Sequence, residues 1–350
     1  MDRELWFLVP GDLDARTGGY EYDRRIIAGL RARGWSVHVV GVEGNYPYPT
    51  VGQRAAAAAA LASVPDHAVV LADGLAFGAL PDEVRGEASR LRLVALVHLL
   101  LADETGLDAD SADALRAGEH RALLAARGVV VTSRQAAEAV LACQVSVSRV
   151  QVVEPGTAPA AVATGSGGTA VQLLCVASVI PRKGHDTLVE ALGGIASLSW
   201  RLTCVGSLDR DPRFVASLLQ RIEFGGIGDR VTFAGEQQDA ALESYYRQAD
   251  LFVLATVHET YGMAVAEALA RGIPVVSTPT GAIADLVSGD AGVLVPPADA
   301  AALGLVLRQL LTDRARLDRL RRGAMGMRST LPTWEAATIH MEEALERLVC

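Results

Sequence analysis

Glu259 and Glu267 stand in an E-x7-E spacing within the stretch Leu251 to Val276, LFVLATVHETYGMAVAEALARGIPVV. The stretch reads as a buried strand (LFVLA), a polar loop (TVHET), a helix opening near Tyr261–Gly262 and a second apolar strand (IPVVS) after an Arg271–Gly272 stop. At about 1.5 Å of rise per residue from Gly262, Glu267 lies roughly 7–8 Å along that helix, while Glu259 precedes it. The two carboxylates therefore flank a helix N-terminus. Such an end carries free N–H groups and a positive partial charge, a seat for an anion such as phosphate. An ionised carboxylate is an acceptor only and suits the hydroxyls of a sugar diol. A phosphate flanked by two diols describes a nucleotide sugar. Taken singly, each acid has a plainer reading as a complement to the helix dipole.

Other residues with chemical potential fall where strands end. IPRKGHDTLVEAL places Arg182 and Lys183 at the mouth of a helix, and Lys183 is the only lysine among 32 basic residues. Gly18–Gly19 precede a helix after the first strand, where backbone N–H groups can approach a ligand closely. His98 ends the apolar strand LRLVALVH, a position equally open to a structural histidine. Asp12-Leu13-Asp14 has the D-x-D spacing of a metal site, but turn chemistry explains aspartates in such a loop.

With strand–HETYG–helix–GIPVV and the PRKG loop in place, the sequence resembles the family 4 retaining glycosyltransferases of the GT-B, two-Rossmann-domain type, strongly from Val171 to Leu311 and moderately before that. The resemblance implies that Glu259 contacts the donor sugar and Glu267 the nucleotide ribose, with Thr260, Tyr261, Gly262 and Met263 meeting sugar and diphosphate through the backbone. Arg182 and Lys183 would grip the diphosphate in an R-x4-KG element in which Ser178 replaces the family's arginine. Gly18 and Gly19 would face the donor phosphates, and His98 the donor sugar near the reaction centre. Tyr20, Asp103, Glu104 and Thr105 are candidates for the acceptor side, and the loop after DRVTFAGE for the nucleobase. His98, Arg182, Lys183 and Glu259 form the expected catalytic set. The implied partners are a nucleoside-diphosphate sugar, UDP- or GDP-linked, and a hydroxyl acceptor, with no cofactor and no metal. Two alternatives remain: a sugar-nucleotide epimerase on the same fold, and a non-catalytic nucleotide-sugar-binding protein.

Composition sets the frame. A chain of 350 residues that is 50% hydrophobic can bury two ordinary cores. The net charge of −9 comes from acids and bases interleaved throughout, which argues against a nucleic-acid partner. Cys143, Cys175, Cys204 and Cys350 are widely spaced, with neither metal nor disulfide spacing. No apolar run is long enough for a membrane span or a signal peptide, so a cytoplasmic location is expected, compatible with peripheral contact with a membrane.

Strand and helix patterns alternate along the chain, so parallel sheets are expected, with sites at strand C-termini. The expected organisation is an N-terminal Rossmann-like acceptor domain over 1–157, a small-residue linker over 158–169 (APAAVATGSGGT), a Rossmann-like donor domain over 170–331 and a terminal helix within 332–350. The GT-B resemblance implies two such domains facing across a cleft, with the terminal helix crossing back to the N-terminal domain.

Overall fold

The computed structural model describes residues 3–349. The chain divides into two compact units, Met1–Gly156 with Pro332–Cys350, and Thr157–Leu331. The first runs β1 (Glu4–Pro10), α1 (Gly18–Ala32), β2 (Ser36–Val42), α2 (Val51–Ala62), β3 (Val69–Asp73), α3 (Gly74–Ala79), α4 (Pro81–Glu87), β4 (Arg92–Val97), α5 (Ala109–Ala125), β5 (Gly128–Val131), α6 (Arg134–Ala142) and β6 (Val150–Val152). The second runs β7 (Val171–Val176), α7 (His185–Gly193), β8 (Trp200–Val205), α8 (Pro212–Phe224), β9 (Val231–Gly235), α9 (Asp239–Gln248), β10 (Leu251–Leu254), α10 (Met263–Ala270), β11 (Val275–Ser277), α11 (Ile283–Leu286), β12 (Gly292–Leu294), α12 (Ala300–Thr312) and α13 (Arg314–Met327). The last helix, α14 (Trp334–Val349), returns to the first unit.

Each unit holds a six-stranded parallel sheet, ordered β2-β1-β3-β4-β5-β6 and β12-β11-β10-β7-β8-β9. The central strands VVLAD, GVVV and LFVL are buried along their whole length. Such continuous apolar runs are what a parallel sheet covered by helices on both faces demands. In both sheets the chain first moves outward on one side and then returns to the other side of its starting strand. The reversal falls between β1 and β3 in one unit and between β7 and β10 in the other. Loops diverge there, and open α/β sheets bind ligands in the resulting crevice.

Several expectations need correction. DGLAFGALP, whose glycines and proline suggest a loop, forms α3 and the start of α4: Asp73 caps Leu75 N at 2.7 Å, and Pro81 takes the first turn of α4. Small residues masked the helical period there, although the cap and the proline were legible signals. The arginine-rich α13 was also missed, despite Asp313 capping Arg316 N at 2.9 Å and Leu317 and Leu320 turned to the core. Leu124 of α5 is exposed, whereas Leu115 and Leu123 are buried. The segment over 158–169 is fastened to the second unit rather than free. Ala163 N and Thr164 N donate to Arg271 O and Arg247 O, both at 2.9 Å, and Ser166 Oγ donates to Asp250 Oδ2 at 2.6 Å. Cys175 and Cys204 are buried free thiols and Cys143 is half-buried; Cys350 lies outside the described residues.

Docking of α14 follows from its sequence. Ala337, Met341, Ala344, Leu345 and Leu348 are buried against Tyr22, Ile26 and Leu30 of α1 and their neighbours. Glu342 ties the helix to the start of β1 and the end of α1, 2.9 Å from Arg3 Nη2 and 2.6 Å from Arg33 Nη2, with Trp35 Nε1 donating to it at 3.1 Å. No described helix is long and apolar enough to cross a membrane.

One buried acid makes the first unit sensitive to pH. Glu119 of α5 is 3% exposed and accepts a hydrogen bond from Leu101 N at 2.9 Å, anchoring the loop that follows β4. Burial pushes its carboxyl up to about 8. A raised carboxyl stabilises the fold fully below its ordinary value of 4.5, and that contribution is lost as pH rises through about 8. Glu119→Gln, which keeps the shape without ionising, is expected to unfold at a temperature that changes little between pH 5 and 9. The wild type is expected to lose stability over that window by up to about 1.4 kcal/mol per pH unit. Parallel melting curves for the two proteins would refute a buried neutral Glu119.

Candidate active site

In the second unit the loops leaving β7 and β10 are sewn together at the point where strand order reverses. Val257 N donates to Arg182 O at 2.8 Å, and Thr256 Oγ1 lies 3.0 Å from Arg182 O and 2.9 Å from His258 O. Arg182 Nη1 donates to His258 O at 3.2 Å. The approach is so close that a Cβ at position 184 would sit 1.9 Å from Ala255 O, and Gly184 has φ +66°. Only glycine satisfies both conditions. It also serves as the N-cap of α7, and Gly262, at φ +96°, does the same for α10. No capping side chain bonds to either helix, so two sets of first-turn N–H groups are left to a ligand.

Charge is concentrated at these helix starts. Lys183 Nζ is ion-paired with Glu259 Oε2, their side chains 16% and 13% exposed, while Thr260 N donates to Glu259 Oε1 at 3.2 Å. Burial pushes the Glu259 carboxyl up, but Lys183 and Arg182 outweigh it, and the group is held below its ordinary value. The cation expected to meet phosphate and the carboxylate expected to meet sugar are thus ion-paired with each other.

Glu267 is oriented from behind by a residue that sequence reasoning overlooked. Tyr246 Oη, on α9, donates to Glu267 Oε2 at 2.8 Å. Arg271 covers the Tyr246 ring at 4.3 Å and donates to Glu267 O at 2.9 Å. Tyr246 is fully buried in a helix whose pattern reads simply as apolar packing, so its hydroxyl gave no signal. Ser178 is half-buried in the loop after β7, Val179 N being fixed to Ser207 O at 2.9 Å.

The first unit gathers a different set. Gly18 and Gly19 do not precede the helix but are its first two residues, with Thr17 as the cap accepting from Tyr20 N at 3.1 Å. A Cβ at Gly19 would meet His98 Cδ2 at 3.2 Å, so this glycine admits the imidazole ring. Tyr20 Oη donates to Pro10 O, bracing the end of β1. Asp103 and Glu104 are exposed in the loop anchored by Glu119, with Thr105 N donating to Glu104 Oε1 at 3.0 Å. Asp14 N donates to Asp12 Oδ1 at 2.9 Å, the turn chemistry expected of that loop.

Sequence spacing suggested no group of metal ligands, yet the fold brings Asp23, Asp73 and His98 together, their polar atoms within 4.8 Å of one another. His98 Nε2 is 2.9 Å from Asp23 Oδ1 and 3.7 Å from Asp73 Oδ2. Residues that distant in sequence meet only because β3 and β4 end, and α1 begins, at the same sheet edge. A cavity of about 680 Å³ lies elsewhere, at the start of β4 among His67, Arg90, Arg92 and Arg127, and contains none of the expected site residues.

Residues 170–313 match the family model described as glycosyl transferases group 1. That segment belongs to this family. It holds Arg182, Lys183, Glu259 and Glu267 together with both glycine-capped helix starts. Over 266 residues the chain is 31% identical to D-inositol 3-phosphate glycosyltransferase 1 of Catenulispora acidiphila, covering 70% of this chain and 61% of that protein. Over 149 residues it is 30% identical to the lipopolysaccharide core biosynthesis mannosyltransferase LpsB of Rhizobium meliloti, covering 41% and 42%. The chain thus spans less than two thirds of these relatives' length. Among solved structures, sucrose-phosphate synthase from Thermosynechococcus elongatus superposes with a TM-score of 0.83 at 22% identity, covering 99% of both chains. Anabaena HepE in complex with UDP-glucose follows at 0.78 and 19%, covering 98% and 99%. These likenesses establish the fold as GT-B.

The ion pair generates a prediction with a defined sign. A carboxylate held below its ordinary value contributes stability above that value and loses it as pH falls through the lowered one. Lys183→Met leaves Glu259 buried without its closest cation and is expected to cost about 1–3 kcal/mol at pH 7. The gap between variant and wild type should narrow as pH falls through the lowered value, where Glu259 takes up a proton in both. A gap unchanged across that range would show that the pair is not its source.

Proposed function

We propose that this chain is a retaining glycosyltransferase of family 4, moving a hexosyl group from a UDP- or GDP-linked sugar to a hydroxyl acceptor without a metal ion, in the cytoplasm. The observation that carries the reading is the pair of uncapped helix starts at the sheet reversal of the second unit, flanked by Arg182, Lys183, Glu259 and Glu267. Amides and cations aimed at one spot suit a diphosphate, and carboxylates beside them suit sugar hydroxyls. Relatives named as glycosyltransferases support transfer over isomerisation.

In this reading the bond between the anomeric carbon and the diphosphate oxygen breaks as the bond to the acceptor oxygen forms on the same face. The acceptor's proton passes to the leaving phosphate, so no protein base is needed. Negative charge develops on the diphosphate, and preorganised amides and cations stabilise it. The ion pair adds a coupling. As Lys183 turns to phosphate, Glu259 loses part of its partner and becomes available to a sugar hydroxyl. Glu267, held by Tyr246, receives the ribose. His98 meets the sugar, and Gly18, Gly19, Tyr20 and the loop of Asp103, Glu104 and Thr105 serve the donor phosphates and the acceptor.

Calorimetry with UDP, GDP and their hexosyl derivatives tests the assignment. Glu267→Ala is expected to weaken nucleoside diphosphate binding by about 10-fold or more, while Glu259→Ala keeps that affinity and loses turnover. Wild-type diphosphate binding by both variants would defeat the ribose assignment. Donor incubated alone should remain unchanged, and appearance of an epimer would replace transfer with isomerisation. Activity should survive EDTA. A rate that collapses on chelation and returns with Mg²⁺ or Mn²⁺ would end the metal-free mechanism.

A further inference from the structure

Asp23 is completely buried on α1, an expensive place for an acid, and one of its oxygens points at His98 Nε2 from 2.9 Å. Its other oxygen, Oδ2, has no hydrogen-bond partner among the described residues. Asp73, 3% exposed at the end of β3, lies alongside with Oδ2 3.7 Å from the same nitrogen, its Oδ1 accepting from Leu75 N. The titratable groups facing the imidazole are these two acids and Tyr22, whose ring meets it edge-on with centroids 5.2 Å apart. Tyr22 is itself committed to Val153 O at 2.9 Å. Packing alone does not explain two buried carboxyls around one histidine, since an apolar pair of similar volume would avoid their desolvation.

We propose that Asp23 and Asp73 are positioning residues for His98, gripping the imidazole through Nε2 and turning Nδ1 outward to hydrogen-bond a hydroxyl of the transferred sugar. Asp23 fixes the proton on Nε2, because a carboxylate can only accept. Whether Nδ1 then donates or accepts depends on the ring's charge. Burial opposes the cation, but Asp23 and Asp73 outweigh it and hold the imidazole above its ordinary value. Asp73 is lifted to about 7 by burial and by the charge on Asp23. Nδ1 has no partner among the described residues and, with the side chain 20% exposed, is the part of the ring left to a ligand.

The sugar as recipient rests on the glycosyl-transfer reading above; the grip on the ring does not. The test therefore combines a donor-free measurement with kinetics. Nitrogen NMR of histidine-labelled protein, with His98 assigned by its absence in His98→Gln, should show the proton held on Nε2 and a titration midpoint above that of a free imidazole. In Asp23→Asn the midpoint should fall by a pH unit or more, and in Asp73→Asn by less. With a donor that the wild type turns over, Asp23→Asn should lower kcat about 10-fold or more and leave nucleoside diphosphate affinity unchanged. The alkaline limb of its rate profile should move to lower pH with the NMR midpoint. A wild-type midpoint no higher than that of a free imidazole, an unmoved midpoint in Asp23→Asn, or uptake of one Zn²⁺ or Mn²⁺ that removes the Nε2 proton would overturn the proposal. Failure of every donor to bind would instead strike the transfer reading, with the NMR result standing by itself.

Discussion

The second unit depends on one contact that no side chain makes: the backbone of Gly184 lying against the carbonyl of Ala255. It joins the loop after β7 to the loop after β10 where the sheet reverses direction, and it sets the reach of Lys183 to Glu259. It also requires α7 to begin on a left-handed residue, and α10 begins in the same way on Gly262. A serine or aspartate that caps a helix from an extended backbone adds roughly 1 kcal/mol and consumes an amide, but the left-handed φ at 184 and 262, and the Ala255 carbonyl lying against 184, favour glycine at both caps. The sequence forgoes that stabilisation at both helices, and the vacant amides are what an anion can use. Steric necessity and anion affinity therefore come from the same glycine.

Buried acids behave oppositely in the two units, and the difference is the presence of a cation. Glu259 has Lys183 and Arg182 beside it, and attraction defeats desolvation. Glu119 has only a backbone amide and another acid, Asp103, nearby, and desolvation wins. Asp73 lies between these cases, next to a histidine and a second aspartate. The same residue type is therefore a fixed charge in one place, a neutral hydrogen-bond partner in another and a group poised near neutrality in the third. Such contrasts are set by environment rather than by type.

Legibility from sequence followed the range of the interaction. Strands such as LFVL and VVLAD announce themselves because burial on both faces leaves continuous apolar runs. Lys183, Glu259 and Glu267 could be singled out as candidates because each belongs to a short segment with its own spacing. Partners were not legible. Tyr246 reaches Glu267 from a different helix, and Asp23 reaches His98 across 75 positions. Neither pairing leaves a trace in local periodicity. The segment over 158–169 misled in the other direction: its small residues look like slack chain, yet its N–H groups and hydroxyls find carbonyls and a carboxylate on the second unit. Composition reports what a segment can do alone, and this one does not act alone.

The serine at position 178 can be weighed in the same terms. Where the family resemblance expects a guanidinium, Ser178 supplies only a hydroxyl, yet Arg182 stands four residues later in the same loop, with one nitrogen on the neutral carbonyl of His258. Lys183 is committed to Glu259, because leaving it strands a buried carboxylate. On the reading proposed above, Lys183 turns to the phosphate only as the sugar's hydroxyls take over Glu259. Full neutralisation of the diphosphate then requires the sugar as well as the nucleotide, which favours the complete donor over the spent diphosphate at the step where charge develops.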